Sequence, residues 1–176
     1  MSIETSCAFT GHRPTHFRFG FDETHPDCIR IKSALNVEIA HMIDAGVTNF
    51  YAGAALGVDQ WAMEAVLEHR RTNPAVRLTA AVPCPEQAKR WTYEQQKRYR
   101  RLLEQCDKVE IVSDHHWQGC MAVRNQWMVN RAAHLIAVYD GSQTGGTAQT
   151  INYARRLERN VIVIPVPADI RPDSAR

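Results

Sequence analysis

An α/β fold, with a mainly parallel sheet between two coats of helices, is what this sequence predicts, and three observations predict it. Short runs of β-type residues alternate with longer stretches of helical period, the pattern of a parallel sheet covered by helices. Glycine-bearing loops recur where a strand hands over to a helix. At 176 residues, 44% of them hydrophobic and 23% charged, the chain fits one domain. A chain of this size buries about 70% of its unfolded surface on folding. The expected architecture is a Rossmann-like three-layer sandwich, a single domain over residues 1–167 followed by a loose tail over 168–176.

The first strand is expected over Ser6–Thr10, ending at Gly11, before an irregular loop, Pro14–Glu23, rich in aromatics and charge. Thr24, with Asp27 three residues on, is a weak capping box for the first helix. Ile31, Leu35, Ile39, Met42 and Ile43 mark its buried face, and Gly46 stops it. Val47–Ala52 reads as strand two. Gly53-Ala54-Ala55-Leu56-Gly57 then leads into a helix reaching Arg71, with Val58, Trp61, Ala62, Ala65 and Val66 on one side. Strand three, Val76–Val82, ends at Pro83-Cys84-Pro85, where two prolines forbid further ladder bonding. Thr92 and Gln95 form a good capping box for a helix reaching Glu104, and Lys108–Val112 reads as strand four. Beyond the polar, aromatic loop Asp114–Gly119, a helix is expected over Met121–Ala133 and strand five over Leu135–Tyr139. The loop Gly141–Gly146, a helix over Thr147–Glu158 and a last strand over Val161–Val166 complete the pattern.

Bulk properties exclude several classes. A net charge of +2 argues against a protein whose main work is unspecific grip on a nucleic-acid backbone. No run approaches the roughly 20 apolar residues that span a bilayer, and Met1–Phe9 does not read as a signal peptide. The five cysteines are an odd number with no C-x-x-C pair, which suits a reducing, cytoplasmic compartment.

In an open parallel sheet, ligands bind at the carboxyl ends of strands where strand order reverses. Three glycine-bearing loops fit that position: Thr10-Gly11-His12-Arg13, Gly53–Gly57 and Gly141–Thr147. In the last, Gly145-Gly146-Thr147 opens a helix whose first N–H groups lack partners and carry the positive dipole end. Glycine permits close approach of a phosphate, and Thr147 adds a hydroxyl donor. The competing reading is a helix start capped by Ser142 or Thr144, with glycines serving only the turn. Gly53–Gly57 repeats the arrangement without being the G-x-G-x-x-G fingerprint. There Asp59 either caps the helix or points its carboxylate at a ribose hydroxyl.

The stretch Gly53–Asp59 before an alanine-rich helix resembles the glycine–arginine–glycine–aspartate stretch of DprA-type proteins. Arg124-Asn125, Leu135–Val138, Gly145-Gly146-Thr147 and Val161–Pro165 follow in the same order as in that group. Phe9-Thr10-Gly11-His12-Arg13-Pro14 and the stretch from Val82 to Trp91 resemble the YpsA-type family of small bacterial and phage proteins. Both groups belong to the DprA-like and LOG-like Rossmannoid (SLOG) superfamily, and the resemblance runs from Phe9 to Pro165.

What it implies is a pocket for a nucleotide or nucleotide-derived ligand, in a sensor or carrier module that needs no other cofactor. Gly11, His12 and Arg13 would lie beside the ligand, Gly53, Gly57 and Asp59 would form a second wall, and Arg124 and Asn125 would reach in. Gly145, Gly146 and Thr147 would hold a phosphate, with Arg13 and Arg124 neutralising it. The superfamily also implies two alternatives: N-glycosidic hydrolysis of a nucleoside monophosphate, as in LOG-type enzymes, and single-stranded nucleic-acid binding, as in DprA. Pairing of two chains through helices flanking the sheet is a further implication.

The chain departs from both alternatives. Thr150 stands where LOG-type enzymes carry a glutamate, and a hydroxyl neither stabilises an oxocarbenium-like charge nor acts as a base near neutral pH. Asp59 or Glu64 would have to substitute. Ala55-Leu56 replaces the DprA arginine, removing a cation suited to a nucleic-acid backbone.

Other residues read as structural. Lys89, Arg90, Lys97, Arg98, Arg100 and Arg101 form a solvated helix face beside Glu94 and Glu104. Trp61 and Trp127 read as core, while Trp91 and Trp117, in loops at the pocket's end of the sheet, offer either packing or base stacking. His115-His116 lack metal-site spacing, so no metal site is expected. His12 is the one histidine singled out, as a phosphate donor, an acid or a loop-stabilising hydrogen bond.

Overall fold

A computed structural model describes residues 2–166. The expected tail lies outside the described residues. In chain order the elements are β1 (Ser6–Gly11), a single 3-10 turn (Pro14–His16), α1 (Pro26–Asp44), β2 (Asn49–Ala52), α2 (Val58–Thr72) and β3 (Arg77–Val82). Then come α3 (Tyr93–Gln105), β4 (Lys108–Ile111), α4 (Cys120–Val129), β5 (His134–Tyr139), α5 (Gly146–Arg156) and β6 (Asn160–Pro165). The six strands form one sheet in the order β4-β3-β2-β1-β5-β6, and every pairing is parallel. The fold is therefore Rossmann-like α/β.

Strand periodicity divides the core into two layers. Along β1, Cys7 and Phe9 join the cluster that holds Leu35 and Ile39 of α1, Val58, Trp61 and Met63 of α2, and Leu102 of α3. Ala8 points the other way, into a cluster with Met128 of α4 and Ile151 of α5. Both faces of the central strands are thus buried, which is why β1 and β5 read as continuous apolar runs. Each fully buried Phe, Leu or Ile side chain contributes about 1.5–3 kcal/mol of transfer free energy. The right-handed crossover rule explains which helix goes where. The chain steps β1 to β4 in one direction with α1, α2 and α3 on one face, then returns to β5 and β6 with α4 and α5 on the other.

Most element boundaries lie within one or two residues of expectation, and at two helix ends the side chains and backbone show why they moved. α1 starts at Pro26, not after a Thr24 cap: His25 is the N-cap and its Nδ1 accepts the Asp27 N–H at 3.2 Å. Proline at the first helical position forfeits no bond, and Thr24 is occupied with Asp22, whose carboxylate accepts both its N–H and its hydroxyl. α4 stops at Val129 rather than Ala133, because the Ala133 N–H already bonds the Ile3 carbonyl at 2.9 Å on the way into β5. The Thr92/Gln95 capping box of α3 forms as expected.

Candidate functional site

Strand order reverses between β1 and β5, so the chain leaves their carboxyl ends toward opposite faces and opens a crevice there. A cavity of about 360 Å³ fills this crevice. Gly11, His12, Arg13 and His16 line it from the loop after β1, and Thr144–Thr147 from the loop after β5. Ala55, Leu56 and Asp59 close it on the β2–α2 side, and Met121, Arg124 and Asn125 reach it from α4. Gly53 and Gly57, expected in the second wall, do not line it.

Both absent glycines serve the protein's own packing. A Cβ on Gly53 would lie 1.7 Å from Arg124 Nη1, so the glycine is the gap through which that guanidinium passes. Gly57 has φ +89° and sits against the Pro14 ring, a combination that a side chain would strain and crowd.

Arg124 is 4% exposed and bound on every side. Its Nη1 donates to the Gly53 carbonyl and, at 3.3 Å, to that of Ala81, and lies 3.7 Å from the Asp59 carboxylate. Its Nε donates to Asn125 Oδ1 at 2.8 Å, Asn125 Nδ2 donates to Thr150 Oγ1 at 2.9 Å, and Thr150 in turn donates to the Gly146 carbonyl at 2.7 Å. This chain of bonds ties the β2–α2 loop to the first turn of α5. Asp59 does not cap α2; its Oδ2 accepts the Ala55 N–H at 3.2 Å. Burial pushes the Asp59 carboxyl up against the pull of Arg124, and pushes the Arg124 guanidinium down against the pull of Asp59.

The start of α5 is different. Its N-cap is Gly145, which supplies no side-chain cap, so the capping by Ser142 or Thr144 considered above is not made. Gly145 and Gly146 are exposed, and Thr147 is buried in the first turn.

Sequence reasoning missed a cluster where the loops after β1 and β5 meet. His12 and His16 stack, with ring centroids 3.8 Å apart and planes 12° from parallel. His12 Nε2 lies 3.1 Å from Asp140 Oδ1, and His16 Nε2 lies 2.8 Å from Asp140 Oδ2. Burial would raise the Asp140 carboxyl, but hydrogen bonds from His16 and from the Ser142 N–H outweigh it and hold the group well below the usual carboxylate range. No local signal marks this cluster, since Asp140 lies 124 residues from His16.

The remaining candidates are accounted for elsewhere. Glu64 accepts two bonds from Arg98, at 2.9 and 2.7 Å, and does not line the cavity. Arg98 also pairs with Glu23, which accepts from Trp61 Nε1 at 2.8 Å and Lys32 at 2.7 Å. Arg98 is therefore a tie between the Glu23 loop, α2 and α3 rather than part of a solvated face. Trp91 packs edge-on against Tyr99, and Trp117 lies against the backbone of Gly119; neither lines the cavity. Among the described residues, no helix is long and apolar enough to cross a membrane.

The fold and crevice define a doubly wound, all-parallel α/β protein with a ligand-sized cavity where strand order reverses. Residues 7–164 match the YspA SLOG family (YpsA), and the chain belongs to it. A UPF0398 protein of Halalkalibacterium halodurans is 28% identical over 153 residues, covering 86% of this chain and 78% of that protein. A UPF0398 protein of Bacillus cereus is 28% identical over 152 residues, covering 85% and 82%. Among solved structures, DNA processing protein A of Helicobacter pylori, described for its single-stranded DNA binding mode, matches with TM-score 0.62 and 16% identity over 97% of this chain and 69% of that one. DprA of Streptococcus pneumoniae matches with TM-score 0.61 and 14% identity, over 93% of this chain and about half (51%) of its own. These two likenesses are likenesses of fold.

Proposed function

We propose that this protein binds a nucleotide or nucleotide-derived small molecule in the crevice between β1 and β5, as a sensor or carrier module. The phosphate sits on the first amides of α5, with Arg13 and the Thr147 hydroxyl as further donors. One observation carries the reading. Gly146 has no left-handed backbone, and a Cβ added there would meet nothing within 4 Å. The protein's own packing does not need a glycine at this position, whereas a ligand that approaches the backbone closely does. The cavity volume falls in the range of small-molecule sites. Arg13 is exposed at the rim and available to an anion, while Arg124 supports the loops from behind.

Mass spectrometry of small molecules released from the purified protein, followed by a thermal-shift panel of nucleoside mono-, di- and triphosphates, tests this. A ligand at a hundred times its dissociation constant adds about 2.7 kcal/mol, a shift of roughly 5–10 °C for a chain of this size. The nucleotide is expected to be recovered intact after long incubation with stoichiometric protein. Release of free base would replace binding with hydrolysis as the function. Retardation of single-stranded oligonucleotides with no response to any mononucleotide would move the protein to nucleic-acid binding.

A further inference from the structure

The His12–His16–Asp140 cluster is more than a pair of loop-stabilising hydrogen bonds. Each residue offers one ligand atom, and the three atoms all lie within 4.8 Å of one another. We propose that His12, His16 and Asp140 form a binding site for a divalent first-row transition metal such as zinc, at the rim of the crevice.

The ligand atoms already stand close to metal spacing. Zinc takes imidazole nitrogen at 2.0–2.1 Å and carboxylate oxygen at 2.0–2.2 Å, so neighbouring ligand atoms in a tetrahedral shell stand about 3.3–3.5 Å apart. The two Nε2-to-carboxylate separations are hydrogen-bond distances of 3.1 and 2.8 Å, so the three groups need only draw slightly apart to admit the ion. Two imidazoles and one carboxylate suit Zn²⁺, Fe²⁺ or Co²⁺ better than Mg²⁺ or Ca²⁺, which prefer all-oxygen shells. Three protein ligands also leave a position open, as in sites where a metal meets a small molecule. His12 and His16 both line the cavity, so a metal held by them stands at its wall.

In the present arrangement the Asp140 carboxylate spans the two Nε2 atoms and the Asp140 backbone N–H donates to His12 Nε2 at 3.3 Å, and the metal displaces these contacts. The rings are stacked, so their in-plane lone pairs run side by side rather than converging. Binding therefore includes a turn of the His16 ring about its Cβ–Cγ bond. With its side chain 38% exposed, His16 has room to make it, whereas His12 and Asp140, at 9% and 7%, are held by their surroundings. The metal site shares a wall with the proposed phosphate position but does not depend on it, so the test uses the metal alone.

Tag-free protein is treated with chelator, dialysed, and titrated with Zn²⁺ against a chromophoric competitor near pH 7.5. A parallel titration with Co²⁺ is read by visible absorption. One equivalent of Zn²⁺ is expected, with a Co²⁺ spectrum of low coordination number. His16→Gln, at the partly exposed position, should keep its far-UV circular dichroism. It should lose metal affinity by more than the roughly 10–100-fold that an outer-shell change costs. Asp140→Asn should do the same, and the double variant His115→Ala/His116→Ala should bind as the parent does. Absence of stoichiometric metal, binding that survives His16→Gln, or loss of binding in the His115/His116 variant each overturns the proposal. None of these outcomes bears on nucleotide binding, and a failed nucleotide panel leaves the metal site standing.

Discussion

Two loops of this protein look alike in sequence and do opposite things. Both carry the chain from a buried parallel strand through glycines into a helix that carries no side-chain cap. After β2 the protein fills the space itself: the Gly53 carbonyl accepts from Arg124 and from Gln87 at 3.0 Å, Asp59 supplies the counter-charge, and Gly57 is wedged against Pro14. After β5 the glycines are exposed, and nothing stands within 4 Å of where a Cβ of Gly146 would be. A glycine at a strand–helix junction thus marks close approach, and the surroundings decide whether a resident arginine or a visiting anion approaches.

Mutations separate the two cases. The largest effect is expected from Arg124→Met, which leaves the Asp59 carboxylate buried without its partner at a cost of about 3–5 kcal/mol. Because burial already pushes the Asp59 carboxyl up, the variant should regain stability as pH falls and Asp59 takes up a proton. Urea melts of the variant at pH 5 and pH 8 check the direction, and a variant less stable at pH 5 would contradict it.

Gly53→Ala follows at roughly 1–3 kcal/mol, since its Cβ would collide with the Arg124 guanidinium. A melting temperature equal to the parent's would mean that Arg124 can leave its slot, and would erase the distinction between the loops.

A third change calibrates these against a charge cluster outside both glycine loops. The Glu23 carboxyl is pulled down to about 2 despite partial burial, which would raise it, by bonds from Arg98, Lys32 and Trp61. Its contribution is fully present above pH 4.5 and is lost as pH falls toward 2. Glu23→Gln should cost about 2 kcal/mol at pH 7, allowing for its partial exposure, and flatten the acid limb of the stability profile.

Gly146→Ala should move stability least, by about 0.5 kcal/mol or less and in either direction. It should nevertheless weaken a bound phosphate compound about tenfold or more, because the methyl group pushes the anion off the backbone donors. Equal affinity in Gly146→Ala and parent would remove the reason for treating the second loop as a ligand site.

Much of this was legible in the chain itself. The apolar runs at β1, β3 and β5, the Thr92/Gln95 box and the glycine loops report local backbone preference and period, which neighbouring residues determine. Family-level likeness placed Arg124 and Asn125 near the crevice, although not their work there, which is to brace Gly53 and Thr150. The cap expected at Thr24 lies one residue later, because His25 followed by Pro26 offers a better helix start.

The sequence by itself determined the elements, their alternation and the three loops that gather at one end of the sheet, because each depends on contacts a few residues long. Only the tertiary structure decided which glycine loop is filled and which is open, and that Asp140 stands between His12 and His16. Those outcomes depend on strand order, which sets β5 beside β1 and so brings together side chains more than a hundred positions apart. No local pattern of residues encodes such a meeting.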